Sequence, residues 1–265
     1  RQSFLEGKSE LQVHSDYLSS IKITEQALPY GSIVGFNEKS AILHYQNKRT
    51  TGTGELMLID AGARADSYCS DITRTYIRNK ESNQEISSLC SALESMQQEI
   101  CKTVCPGVNF VDLQILCHQK LAQILVKADI LKGCSAEQAY SDKLTQTFLP
   151  HGLGHMLGLQ VHDVGGTQAD YSGNDIAASQ DFPSLRTRRS LREHEVITIE
   201  PGLYFIPMLL RQAQSTPFSS YYNWKLIESL TPFGGIRIED NLVITEGSNI
   251  NLTRKYLGND WLLEG

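Results

Sequence analysis

The feature that most constrains this chain is a set of five acidic or imidazole side chains, each in a short apolar segment that is typical of a strand or a tight turn. Burying even one unpaired carboxylate costs several kcal/mol or forces its protonation. Two divalent cations would cancel the charge of the four carboxylates. The sequence therefore predicts a metal centre built from Asp60 in LIDAGA, Asp71 in CSDITRT, His155 in HGLGHMLG, Glu200 in ITIEPG and Glu239 in GGIRIED.

These five segments, in this order, resemble the pita-bread metallopeptidases, the fold shared by methionine aminopeptidase, aminopeptidase P and prolidase. Within that group, the stretch HGLGHMLGLQVHDVGG from His151, the run FPSLRTRRSL and the tail NWKLIESLTPFGGIRIEDNLVIT are similar to bacterial Xaa-Pro dipeptidases, or prolidases. The similarity runs from about Gly31 to Thr245. It implies an α+β protein of the pita-bread (creatinase/aminopeptidase) fold, with pseudo-two-fold αβ halves around a curved antiparallel sheet.

The length of 265 residues is enough to bury a full core, so we expect residues 1–265 to form one catalytic pita-bread metallopeptidase domain. Prolidase-like proteins carry a separate N-terminal domain before this one, and the resemblance implies that it is absent from this chain. The segmental pattern alternates strands and helices twice, and the first half supplies two of the predicted ligands while the second supplies three.

The apolar and polar pattern predicts the elements between the ligands. We expect a helix up to about Ser20, one from Ser82 to Val104, and one that begins at an Asp112 N-cap and ends near Lys127. Irregular chain is expected over 165–189 and 207–232. The predicted strands are SIVGF, AILHY, ELMLID, SYCSDITRTYI, VITIEPGLYF and GIRIEDNLVIT.

The composition of the chain limits the classes of binding partner and the cellular compartments that we expect. The net charge is −6 and no basic stripe is present, so nucleic acid is not an expected partner. No run of about twenty apolar residues occurs, which argues against a membrane span. The six cysteines lack zinc-ribbon or disulfide-scaffold spacing, so we expect reduced thiols and a cytoplasmic location.

Oxygen-rich ligands with one imidazole favour Mn²⁺, Mg²⁺, Co²⁺ or Fe²⁺ over a structural zinc, which prefers thiolates. We expect two divalent ions, with Mn²⁺ first and Co²⁺, Fe²⁺ or Zn²⁺ as alternatives. The resemblance implies that Asp60 binds one ion, that Asp71 and Glu239 bridge both, and that His155 and Glu200 hold the other.

Two ions about 3.5 Å apart lower the pKa of a bridging water, which becomes a hydroxide nucleophile, and polarise the scissile carbonyl. Glu200 is the predicted proton shuttle between this water and the leaving nitrogen. His151 and His155 stand four apart but without the Glu of an HExxH motif, so a mononuclear zincin is disfavoured.

Further polar residues are candidates around the predicted centre. The resemblance implies that His162 and His44 line the substrate cleft as catalytic or substrate-binding groups, although either could be a core histidine. His151 is a candidate substrate-binding residue or a structural neighbour of the ligand. Arg237 lies two residues before Glu239, so both project from the same strand face and Arg237 can orient the carboxylates.

The resemblance implies that Arg186 grips the free C-terminal carboxylate of a substrate. The planar guanidinium of arginine donates two parallel hydrogen bonds to a carboxylate, which suits this task. Arg188, Arg189 and Arg192 are close enough in sequence to be alternatives.

The leading hypothesis is therefore a dinuclear metallopeptidase that hydrolyses dipeptides with C-terminal proline and, in full-length form, is a homodimer. The alternatives are an aminopeptidase P-like enzyme, which takes longer peptides, and an organophosphate hydrolase. A further alternative is a non-catalytic pita-bread binding module, but such modules lack the metal ligands that this chain has.

Overall fold

The protein contains two antiparallel three-stranded sheets. The computed structural model describes residues 1–170 and 172–258. The first sheet has the order β1-β2-β5 and the second the order β10-β9-β6. Two shorter antiparallel pairs, β3-β4 and β7-β8, complete the strands described. The strands are β1 Ile33–Phe36, β2 Leu56–Asp60, β3 Arg64–Ala65, β4 Tyr68–Cys69, β5 Thr73–Ile77, β6 Val196–Ile199, β7 Gly202–Tyr204, β8 Gly235–Arg237, β9 Asp240–Thr245 and β10 Ser248–Asn251.

Helices pack against both sheets, and this combination confirms the predicted α+β class. The long helices α3 and α4 begin and end within a few residues of their predicted bounds, and α3 buries the apolar positions that recur at helical spacing. The helices are α1 Gln2–Leu5, α2 Glu10–Ile21, α3 Gln84–Thr103, α4 Phe110–Lys127, α5 Ala136–Ser141, α6 Pro207–Gln214, α7 Trp224–Leu230 and α8 Leu252–Leu257.

The main core lies between α3, α4 and the second sheet. Leu93 and Ile100 of α3 and Leu121 of α4 are fully buried in it. A smaller apolar cluster centred on Phe4 and Phe36 packs α1 and α2 against the first sheet. Among the described residues, no helix combines the length and the apolar content that crossing a membrane requires.

The first sheet meets the β7-β8 pair along β5 and β8, and β8 leads directly into β9 of the second sheet. The hydroxyl of Thr75 donates to the carbonyl of Arg237 at 3.0 Å and accepts from its backbone N–H at 3.1 Å. Two residues further on, the N–H of Glu239 donates to the carbonyl of Thr73 at 3.0 Å. These contacts bring the ligand-bearing ends of both sheets to one place.

Several local predictions about helices and strands were wrong. AILHY is not a strand: a 3-10 turn, Asn37–Ala41, runs into it, and the hydroxyl of Ser40 anchors that turn to the carbonyls of Phe233 and Gly235. Helix α4 begins after an Asn109 N-cap, because the Asn109 side chain accepts from the N–H of Val111, so Asp112 lies inside the helix.

The segment 207–232 contains α6 and α7 where irregular chain was expected. Pro207 occupies the first turn of α6, and the Asn223 side chain caps α7, which are start signals that the prediction did not use. The predicted strand VITIEPGLYF is also interrupted, since Pro201 has no N–H to continue the ladder. GIRIEDNLVIT likewise divides into β8 and β9 on either side of Ile238 and Glu239.

Candidate active site

The first two predicted ligands lie at one end of the first sheet. Asp60 is the last residue of β2 and pairs with Ile33 on one side and Thr73 on the other. Asp71 precedes β5 by two residues and is buried. The hydroxyl of Tyr30 lies 2.7 Å from Asp60 Oδ1 and 2.5 Å from Asp71 Oδ1, so a single phenol links the two carboxylates.

The HGLGH segment is held against β6 by its backbone. The N–H of His155 donates to Thr198 Oγ1 at 3.1 Å, and the N–H of Thr198 donates to the carbonyl of His155 at 2.9 Å. The N–H of Glu200 donates to the carbonyl of Leu153 at 2.7 Å. Gly154 is required between them, because a Cβ at this position would lie 2.0 Å from the carbonyl oxygen of Thr198.

Glu200 and Glu239 lie next to each other at one end of the second sheet. Ile199 of β6 pairs with Asp240 of β9, and this is the last pair of the ladder. Glu200 follows Ile199 and Glu239 precedes Asp240, so both glutamates stand just beyond the same ladder end. The ladder therefore sets their separation.

The five predicted ligands converge on one point. His155 Nε2 lies 3.4 Å from Asp71 Oδ2 and 3.5 Å from Glu200 Oε1. Ligand atoms of Asp71, His155 and Glu239 all lie within 4.8 Å of one another. His155 Nδ1 is 2.9 Å from the carbonyl of Met156, which fixes the ring and leaves Nε2 facing the carboxylates.

Burial dominates the electrostatics of this cluster. It raises the pKa of Asp60 to about 6 and that of Glu200 to about 7, even though Arg237 acts against both shifts. It also raises the pKa of Glu239 well above its usual range, and the charge of Asp71 adds to this shift. Burial alone would lower the pKa of His155, but the hydrogen bond to Asp71 and the charge of Glu200 outweigh it and raise the pKa.

The donor set fits divalent cations. Four carboxylates line one region, and Arg237 pairs with Asp60 there, so among the residues that the structure describes the negative charge is only partly offset by cationic side chains. Carboxylate oxygens with one imidazole are ligands that first-row divalent ions accept, and a cation at this place would restore the ionised state that burial opposes.

A cavity of about 440 Å³ opens beside the cluster. It joins the metal-ligand candidates to the polar side chains that the sequence indicated as substrate or catalytic groups. His44, His162 and Arg186 are exposed on its wall, whereas Arg237, which also lines it, is buried. All ten predicted site residues line this cavity: His44, Asp60, Asp71, His151, His155, His162, Arg186, Glu200, Arg237 and Glu239.

Arg237 contacts the cluster through a chain of hydrogen bonds. Its Nη2 lies 2.6 Å from Asp60 Oδ2, and its Nη1 donates to Tyr204 Oη at 2.9 Å. The Tyr204 hydroxyl lies 2.9 Å from His151 Nε2, and His151 Nδ1 lies 2.8 Å from the carbonyl of Gly152. Since that carbonyl can only accept, His151 donates from Nδ1 and accepts from Tyr204, and both of its nitrogens are engaged within the protein.

Tyr30, Thr73 and Tyr204 belong to the site although the sequence reasoning did not identify them. Thr73 Oγ1 donates to Glu239 Oε2 at 2.7 Å and accepts from Arg237 Nε at 3.1 Å. Thr73 stands two residues after Asp71, so strand alternation was a usable signal for it. Tyr30 and Tyr204 meet their partners only through the tertiary fold, and no short-range pattern indicates them.

The arginines of the FPSLRTRRSL segment are placed differently from one another. Arg188 donates to the carbonyls of Leu185 and Ile176, while Arg189 donates to the carbonyl of Gly165 and to Glu195. Arg192 lies at a separate surface depression. Of these four, Arg186 is the one that lines the cavity.

Known proteins are similar in sequence over most of the chain. The chain is 45% identical to the Xaa-Pro dipeptidase of Shewanella woodyi over 256 residues, covering 96% of this chain and 57% of that protein. It is 44% identical to the Xaa-Pro dipeptidase of Pseudoalteromonas translucida, covering 96% of this chain and 58% of that protein. The chain thus spans somewhat more than half the length of these relatives.

Solved structures agree in fold. Aminopeptidase P from Escherichia coli with the inhibitor Pro-Leu superposes with a TM-score of 0.71 at 30% identity, covering 94% of this chain and 50% of that one. The proline aminopeptidase P II of Yersinia pestis gives a TM-score of 0.71 at 30% identity, covering 96% of this chain and 51% of that one.

The fold and the buried cluster of oxygen and imidazole donors define a metallopeptidase of the pita-bread class. The chain belongs to metallopeptidase family M24, whose sequence model matches residues 2–246. This confirms the predicted fold class and family, and the family implies divalent metal ions.

Proposed function

We propose that this chain is the catalytic domain of a metal-dependent Xaa-Pro dipeptidase, which hydrolyses dipeptides with C-terminal proline. The observation that carries this proposal is the cavity itself, which joins a buried carboxylate and imidazole cluster to an arginine suited to a terminal carboxylate. The relatives at 45% and 44% identity, named as Xaa-Pro dipeptidases, support the same substrate class.

The proposed centre holds two divalent cations, with Mn²⁺ as the first choice. Asp60, Asp71, His155, Glu200 and Glu239 are its proposed ligands. When bound, the pair of cations supplies a water of lowered pKa and polarises the scissile carbonyl. The buried carboxylates support this assignment, because burial raises their pKa values and a bound cation would restore their ionised form.

Glu200 is the proposed proton carrier. It lines the cavity beside the other ligand candidates, and burial raises its pKa to about 7 in the metal-free protein. Arg237, fixed by Thr73 and Tyr204, orients the Asp60 carboxylate. His44 and His162 are proposed to contact the substrate or the developing oxyanion from the cavity wall, and a contribution of His151 to substrate binding stays a prediction.

Arg186 is the proposed anchor for the free carboxylate of the substrate. The guanidinium groups of its neighbours Arg188 and Arg189 already donate to backbone carbonyls and to Glu195. This supports Arg186 over them as the carboxylate-binding residue. An Xaa-Pro peptide bond has no N–H, so a site for it needs no acceptor at that nitrogen.

An aminopeptidase P-like activity on longer peptides is the second candidate. The structural similarity to aminopeptidase P at a TM-score of 0.71 favours it, but the higher sequence identity to the dipeptidases favours a dipeptide substrate. Organophosphate hydrolysis stays an alternative, and a purely non-catalytic binding role is the weakest one, since the complete ligand set argues against it.

Location and assembly are part of the proposal. The six cysteines are all free thiols, which supports a reducing compartment such as the cytoplasm. The proposed homodimer of the full-length protein rests on the family resemblance.

The test is hydrolysis of a panel of Xaa-Pro dipeptides by the Mn²⁺-loaded chain and its Arg186→Ala variant. Loss of an arginine side chain that pairs with a partly desolvated substrate carboxylate costs about 2–5 kcal/mol. At about 1.4 kcal/mol per tenfold, kcat/KM for the dipeptide should fall roughly 30-fold to several thousand-fold.

The matched control is the C-terminally amidated dipeptide, which lacks the charge. It should be a poor substrate of the unsubstituted chain and should lose little more in Arg186→Ala, because both changes delete one contact. Equal penalties on the acid and the amide would contradict the carboxylate grip. Better turnover of tripeptides than of dipeptides would favour the aminopeptidase alternative.

A further inference from the structure

A buried network of two cations and two anions lies behind the second sheet, outside the cavity. Arg254 of α8 reaches Glu94 of α3 at 2.5 Å and Asp240 of β9 at 2.6 Å. Arg74 of β5 reaches the other oxygen of Asp240 at 2.7 Å. Asp240 is fully buried, and the other three side chains are less than a tenth exposed. We call these four residues, together with Gln97 of α3, the rear network.

The rear network is connected to the backbone that carries the metal-ligand candidates. Arg74 Nη1 donates to the carbonyl of Glu239 at 2.7 Å and to that of Thr73 at 2.9 Å. Gln97, fully buried, donates from Nε2 to the carbonyl of Ile199 at 3.3 Å and accepts from Arg254 Nη2 at 2.9 Å. Ile199 is the residue directly before Glu200.

These contacts are concentrated at one ladder end. Ile199 and Asp240 form the last pair of β6 and β9, and Glu200 and Glu239 diverge from that pair. Gln97 holds the β6 side of this end by a carbonyl, whereas Asp240 and Arg74 hold the β9 side. The backbone separation of the two glutamates is therefore fixed from behind as well as by the ladder.

Stability alone is a weak reason for such a network. A buried ion pair is often no more stabilising than well-packed apolar side chains of the same volume. Its advantage is geometric, because a guanidinium between two carboxylates tolerates few arrangements and every donor and acceptor has to be matched. The charges in this network balance, with two arginines against one aspartate and one glutamate.

We propose that the rear network positions Glu200 and Glu239 for divalent cation binding, with Gln97 and Arg254 as positioning residues that touch neither metal nor substrate. This inference rests on the proposed metal centre. Partners that orient metal ligands typically change metal affinity by about 10- to 100-fold when removed. Here the orientation acts through the backbone carbonyls of Ile199, Thr73 and Glu239 and through the β6–β9 strand pair.

The test is calorimetric titration of the metal-free chain with Mn²⁺, applied to Gln97→Met and Arg254→Lys. Gln97→Met keeps the side-chain volume but removes the donor to Ile199, and Arg254→Lys keeps the charge but loses the fork that spans Glu94, Gln97 and Asp240. Each variant should bind Mn²⁺ about 10- to 100-fold more weakly. Thermal unfolding of the metal-free variants is measured beside it, to separate positioning from stability.

Glu99→Gln is the matched control, because Glu99 also belongs to α3 but pairs with Lys120 at the surface. It should bind Mn²⁺ as the unsubstituted chain does. Unchanged Mn²⁺ affinity in both rear-network variants would overturn the positioning role while leaving the proposed function intact. Failure of both variants to fold would show that the rear network serves stability, and would also overturn the positioning role. Absence of Mn²⁺ binding in the unsubstituted chain would contradict the metal centre and the positioning role together.

Discussion

At Gly154, the second glycine of HGLGH, we expect one added methyl group to lower both the stability and the Mn²⁺ affinity of the chain strongly. An alanine Cβ there would lie 2.0 Å from the carbonyl oxygen of Thr198 and 2.8 Å from its carbonyl carbon, where ordinary contact begins at 3.4 Å. Both obstacles are backbone atoms, so no side chain can rotate away. HGLGH and β6 would have to separate by about 1 Å or more.

That separation strains the contacts that place His155. The hydrogen bonds between the backbone of His155 and Thr198, at 3.1 and 2.9 Å, lie directly beside the clash. Overpacking costs about 1–3 kcal/mol, and each weakened hydrogen bond adds about 1 kcal/mol. We therefore expect Gly154→Ala to lower the free energy of unfolding of the metal-free chain by about 3–5 kcal/mol and to weaken Mn²⁺ binding.

Gly152→Ala, in the same motif, is the matched control. Its Cβ would meet Leu185 Cδ1 at 3.0 Å and Leu185 Cα at 3.1 Å, a crowding that shifts of a few tenths of an ångström relieve. We expect a loss of about 1 kcal/mol and near-normal Mn²⁺ binding. The assay is urea unfolding of both metal-free variants with Mn²⁺ titration. Equal losses in the two variants would refute the close approach of Gly154 to β6.

Two further predictions concern the ligand cluster. Because burial raises the pKa of Glu200 from 4.5 to about 7 and that of Asp60 from 3.8 to about 6, the folded metal-free chain holds protons that the unfolded chain releases. The free energy of unfolding of the metal-free chain should therefore fall as the pH rises from about 4 to 7, by about 3 kcal/mol for Glu200. Bound Mn²⁺ should remove this pH dependence. A urea midpoint of the metal-free chain that rises over the same range would contradict the prediction. Asp71→Asn should remove bound metal as well as activity, since a bridging carboxylate holds both ions, and elemental analysis that finds both metals retained would exclude the bridging role.

The ligand candidates were predictable because each stands at a strand end or in a tight turn, where apolar residues and glycine mark the local structure. Asp60 and Glu200 follow runs of apolar residues, and Arg237 and Glu239 share strand alternation. Helix α3 was predictable for a similar reason, since its apolar residues recur at helical spacing. These are short-range signals that the chain carries within a few residues.

Long-range partners were not predictable in this way. Tyr30 links Asp60 and Asp71 across 30 and 41 residues, and Tyr204 meets His151 across 53. Such contacts depend on the relative placement of the two sheets. The helices of 207–232 were missed because their start signals, Pro207 and Asn223, are equally common in turns.

The central claim is that the buried cluster holds two divalent cations, and anomalous X-ray scattering from crystals of the Mn²⁺-loaded chain tests it most directly. We predict two anomalous peaks in each molecule, at a separation of about 3.5–4 Å typical of two-metal sites. Both should lie among Asp60, Asp71, His155, Glu200 and Glu239. Peaks confined to other surface carboxylates, or no peak at the cluster under saturating Mn²⁺, would contradict the claim.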